Sequence, residues 1–92
     1  MSQNRFEQVD ERQEDAITLF LVRREGTASG FVTCPMTISG GRFTQDQIGT
    51  EGPAKDAFRS AVTLANDIKA AVVVVDPDNV WQAEWGTLYR ET

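Results

Sequence analysis

The sequence predicts an α+β fold of two layers, ββαβ(β), with one helix packed on a small, mostly antiparallel sheet. Three observations predict it. Residues 15–24 and 31–38 are rich in β-branched and aromatic side chains and flank a turn-forming segment. Residues 53–69 repeat apolar side chains at three- and four-residue steps. Residues 70–75 then follow as a nearly pure β-branched run.

Taken in order, the first segment is the weakest. Residues 1–15 hold Arg5 and Arg12 against Glu7, Asp10, Glu11, Glu14 and Asp15, which is net −3. Beyond the first methionine, the apolar side chains before residue 15 are Phe6 and Val9. Residues 1–14 therefore read as a disordered acidic tail, and residues 15–92 as the single folded domain.

Residues 15–24 read as a strand with two apolar faces, Ile17, Leu19 and Leu21 on one and Phe20 and Val22 on the other. Such a strand is central and covered on both sides. Turn residues at 25–30 lead into a second strand at 31–38, so the pair reads as an antiparallel hairpin with a loop of four to six residues. Pro35 lacks an N–H, which places this strand at an edge or a bulge. Ser39-Gly40-Gly41 breaks the run, and the polar stretch 42–51 offers Phe43 and Ile48 as anchors.

Pro53 suits a helix start, because its missing N–H would be unpaired there anyway. Ala54, Ala57, Phe58, Ala61, Val62, Leu64, Ala65 and Ile68 form the stripe, and its alanines allow a close approach to a sheet. The third strand at 70–75 runs into Asp76-Pro77-Asp78-Asn79, whose turn chemistry favours a return by residues 80–83 as a fourth strand. A competing reading caps a helix at Asn79 and puts Trp81, Trp85, Leu88 and Tyr89 on one helical face. A right-handed crossover through the helix gives the strand order 2-1-3, with 4 beyond 3 if it forms.

Composition removes several functions. A chain of 92 residues makes one domain, and no apolar run approaches the roughly 20 residues of a membrane span. The first residues lack the apolar core of a secretory signal, so the expected location is cytoplasmic and no membrane partner is expected. With no histidine and one cysteine, Cys34, there is no His-based catalytic pair and no multi-cysteine metal site. The net charge of −5 opposes nucleic-acid binding.

The string of four valines leading into Asp76-Pro77-Asp78 resembles the first motif of haloacid-dehalogenase-like phosphatases. That resemblance implies a nucleophilic first aspartate, an acid–base second one and a magnesium ion. It covers about seven residues and departs where the family continues with glycine and threonine, since Asn79 and Val80 stand there. Asp76, Asp78 and Glu84 could in principle share a hard cation. Ordinary turn chemistry accounts for the same aspartates, so no cofactor and no metal are expected. Cys34 lacks a basic neighbour in sequence, Gly40-Gly41 lacks the Lys-Ser or Lys-Thr of a phosphate loop, and Arg23-Arg24 reads as a solvated strand end.

The remaining signal is apolar surface. One helix covers one side of a sheet, yet both strands 15–24 and 70–75 are apolar on both sides. Phe20, Val22, Val73 and Val75, with the aromatic strip Trp81, Trp85 and Tyr89, are the candidate partner-binding residues. The expectation is a non-catalytic interaction module, forming a homodimer or binding a protein partner. The alternatives are an acidic, antitoxin-like inhibitor of a basic protein and a small-ligand binder or enzyme using Asp76, Asp78 and Glu84.

Overall fold

Among residues 5–90, which the computed structural model describes, the chain forms β1 (Arg5–Gln8), β2 (Ile17–Arg24), β3 (Thr27–Cys34), β4 (Gln47–Ile48), β5 (Gly52–Pro53), α1 (Ala54–Ile68), β6 (Val72–Val75) and β7 (Thr87–Tyr89). Single 3-10 turns occupy Met36–Ile38 and Ala83–Trp85. One sheet takes every strand in the order β4-β3-β2-β6-β1-β7, with β5 also on β3. The helix lies on one face of it, so the architecture is the two-layer α+β class.

The expected order 2-1-3 survives as β3-β2-β6. The sheet is mixed, however, rather than mostly antiparallel. β6 runs parallel to both β2 and β1, and β1 runs parallel to β7. The antiparallel pairs are β2 with β3 and β3 with β4 and β5.

The β2–β3 hairpin is tighter than its composition suggests. Its loop is Glu25-Gly26, with φ of 51° and 80°. Two consecutive positive φ values match the twist of a two-residue hairpin turn. Thr27, Ala28, Ser29 and Gly30 are therefore strand residues opposite Arg24, Arg23, Val22 and Leu21. Ala28, Ser29 and Gly30 are singly weak strand formers, and pairing with β2 overrides that preference. Pro35 falls just past the end of β3, where no ladder bond is lost.

The helix lies close to the sheet because both surfaces are small. Ala54, Ala57 and Ala61 are buried on its inner side. Opposite them sits Gly30, where an added Cβ would stand 2.6 Å from the Phe20 carbonyl oxygen and 3.3 Å from the Ala57 Cβ. Lys69 ends the helix in the left-handed conformation at φ 56°, its N–H donating to the Ala65 carbonyl. Ile17, Leu19, Leu21, Val74 and Val80 are fully buried in the core. Each contributes on the order of 1.5–3 kcal/mol by leaving water.

Two expected segments differ. The tail reading of residues 1–14 fails at residues 5–8, which form β1 between β6 and β7; residues 1–4 lie outside the described residues. Phe6 is buried there against Phe58 and Trp81. The fourth strand at 80–83 does not form, and neither does a helix from Asn79. Asp76 is buried and its carboxylate accepts the N–H groups of Val80 and Trp81 at 2.8 and 2.9 Å, which turns the chain away from the sheet edge. The place beyond β6 goes to β1 instead.

Candidate functional site

Register assigns each side chain to a layer. β2 presents Ile17, Leu19 and Leu21 to the helix, and Thr18, Phe20 and Val22 to the other side. Cross-strand partners share a face. Thr18 pairs with Val73 and Phe20 with Val75, while Phe20 and Phe31 are direct antiparallel partners. The helix-free face thus carries Phe20, Val22, Phe31, Val73 and Val75.

Phe20 and Phe31 stack with ring centroids 4.8 Å apart and planes 9° from parallel. Neither packs against the core cluster, and nor do Val22 and Val75. All four are partly exposed. Ile48, opposite Thr33 on the same side, is 70% exposed. The lower part of this face is covered. Residues 9–16 connect β1 to β2 across it, and the Gln13 N–H donates to the Thr18 Oγ1 at 3.1 Å. Thr18 and Val73 are buried beneath them.

Of the seven predicted partner-binding residues, Phe20, Val22, Val73, Val75 and Tyr89 share the helix-free side, and only Val73 is buried there. Tyr89 lies further along the sheet, opposite Glu7, with the Arg5 guanidinium 4.6 Å from its ring centroid. Trp81 and Trp85 belong to the other layer. Trp85 stacks on Phe58 at 4.8 Å, and Trp81 meets Phe6, Phe58 and Trp85 at 5.2–5.5 Å. The Trp81 indole N–H donates to the Gly86 carbonyl. These four rings close the core beside the helix, so the three C-terminal aromatics do not form one strip. The 3-10 turn and Gly86, at φ 124°, break the common face that either regular element would have made.

Phe31 and Ile48 extend the surface and were missing from the sequence-derived set. The signal for Phe31 was available: it alternates with Val32 in a strand whose partner already had two apolar faces. Ile48, expected with Phe43 to anchor the 42–51 stretch, is exposed instead, because two-residue β4 pairs at the sheet edge with β3; only Phe43 packs on the core.

The polar candidates are engaged in structure. Asp76 caps the turn after β6, and Asp78 accepts the Arg23 N–H at 2.9 Å. Glu84 is exposed on the 3-10 turn, beside Lys55 and Trp85 at a shallow groove. Among the described residues, no three histidine, cysteine or acidic side chains come together in a way that could hold a metal. Burial pushes the Cys34 thiol above its ordinary range, and the nearby Asp46 charge adds to this. Asp46 itself is held below the ordinary aspartate range, first by the Met36 N–H at 2.8 Å and then by the Arg12 guanidinium at 2.8 Å. A cleft of about 410 Å³ opens between the end of the helix and β1, β6 and β7, lined among others by Arg5, Val62, Asn66 and Tyr89. No helix among the described residues is long and apolar enough to cross a membrane.

No family model matches the chain, and no curated protein or solved structure does either. The functional reading therefore rests on the surface itself.

Proposed function

We propose that this protein is a small, non-catalytic interaction module that binds another polypeptide through the helix-free face of its sheet. The observation that carries the reading is the Phe20–Phe31 stack, set beside Val22 and Val75, all four partly exposed beyond the part of the face that residues 9–16 cross. Exposing contiguous apolar side chains on a sheet face to water raises the free energy, and covering them with another surface lowers it. Paired aromatic rings supply large contact area with little side-chain entropy to lose, which suits a binding anchor.

A photoreactive benzoylphenylalanine at Ile48, on this face, tests the reading in cells that make the chain. It should cross-link to a discrete polypeptide, and the same label at Arg59 on the outer side of the helix should not. The double variant Phe20→Ser/Phe31→Ser should stay folded and abolish the cross-link. Equal labelling at both positions, or a cross-link indifferent to the serines, sinks the reading.

A further inference from the structure

The cleft beside β1 lies where two parallel strands part. β1 pairs with β7 from Arg5 onward, but with β6 only from Glu7 and Val73. Before that point no ladder joins β1 to β6, and the cleft of about 410 Å³ opens there. Val62 and Ala65 of the helix, with Ala70 and Val72, give it apolar walls. Its size falls in the roughly 300–1,000 Å³ range of small-molecule sites.

Four polar side chains meet at this cleft: Arg5, Glu7, Asn66 and Tyr89. Elsewhere Arg12, Arg24, Arg42 and Arg90 are each held by a carboxylate. Arg5 and Glu7 take part in none of the ion pairs among the described residues. The Arg5 guanidinium instead lies 4.6 Å from the Tyr89 ring centroid, which steadies it and leaves its N–H donors for a ligand. Arg5 and Glu7 are two residues apart on one strand, so they stand on one face with Cα atoms roughly 6.6 Å apart. They do not pair with each other.

These charges name the chemistry of a ligand. An ion of one sign meets attraction from one of them and repulsion from the other. A molecule carrying both signs on adjacent carbons meets attraction from each. The Asn66 amide, donor and acceptor at once, suits either end of such a molecule.

We infer that this cleft binds a free α-amino acid with an apolar side chain. Its carboxylate meets the Arg5 guanidinium, its ammonium meets the Glu7 carboxylate, and its side chain lies against Val62, Ala65 and Val72. Phe20, Val22, Phe31 and Val75 do not line the cleft, so this site stands or falls independently of the docking surface.

Titration of the labelled full chain with leucine, valine and phenylalanine, each to about 10 mM, tests this through backbone amide shifts. At least one should give saturable shifts at residues 5–7, 62–66, 70–73 and 89. Its amide, which lacks the carboxylate, and its deaminated acid, which lacks the ammonium, should each bind at least about tenfold more weakly. Arg5→Gln and Glu7→Gln should each weaken the amino acid at least about tenfold and leave the amide spectrum of the ligand-free chain dispersed. Arg59→Gln, on the outer side of the helix, should change nothing. No saturable shift with any of the three amino acids overturns the inference, as do shifts confined to other parts of the molecule. Equal binding of the amide or the acid overturns it too, because one charge then suffices. So does affinity indifferent to both glutamine variants.

Discussion

Two aspartates two residues apart do different work, and the difference lies in burial. The Asp76 carboxylate is buried and accepts two backbone N–H groups, so replacing it strands both donors. Asp76→Ala should cost about 3 kcal/mol in urea denaturation, and Asp78→Ala, which loses one exposed bond, about 1 kcal/mol or less. The turn chemistry of this string was legible in the residues. That it would replace a strand at 80–83 was not, because the choice depends on where Val80 and Trp81 are buried. Asp46 adds a pH effect. Its folded pKa is depressed, so the stability it contributes is present above the ordinary aspartate range and lost as pH falls through the lowered value. Carboxyl shifts should titrate below that range, and Asp46→Asn should flatten the acid limb of the stability curve.

At the scale of elements, the strands that sequence patterning missed are those held by distant partners. β1 has four residues, three of them polar, and pairs with residues 73–74 and 87–89. It is the only pairing partner that β7 has among the described residues. Removal of residues 1–14 should therefore strip β7 as well. Phe6→Ala alone should cost about 3 kcal/mol through the cavity left beside Phe58 and Trp81. The truncated chain should melt more than about 10 °C lower, read by circular dichroism. The helix was the most legible element, expected at 53–69 and found at Ala54–Ile68. Its close approach was legible in the alanine stripe, but that Gly30 is the sheet residue opposite Ala57 was not. Gly30→Ala should cost roughly 2 kcal/mol, because the nearest obstacle is the Phe20 backbone oxygen, which cannot rotate away.

For the whole molecule, the two faces of the sheet should respond differently to a buried charge. Leu19 and Val74 face the helix and are fully buried, so Leu19→Asp or Val74→Asp should abolish cooperative unfolding. Phe20→Asp, on the open stripe, should leave a folded chain that still unfolds cooperatively. Val73→Asp should behave like the helix-side pair despite sharing the face of Phe20, because the 9–16 crossover buries Val73. That last result separates the covered lower half of the face from the open upper half. An unfolded Phe20→Asp would show that the stripe belongs to the core.

The sequence by itself determined the layer class, the helix and the three strands of the sheet centre. Those features follow from local periodicity and from turn residues that act on their immediate neighbours. It also determined that apolar side chains occupy both sides of β2 and β6. Only the tertiary structure decided which side the helix covers, because alternation in a strand is symmetric until Gly30 and Ala57 meet. Only the tertiary structure decided, too, that Trp81 and Trp85 close the core against Phe6 and Phe58. Such assignments depend on parallel pairings between residues more than 60 positions apart, and no local preference of a short strand encodes its partner.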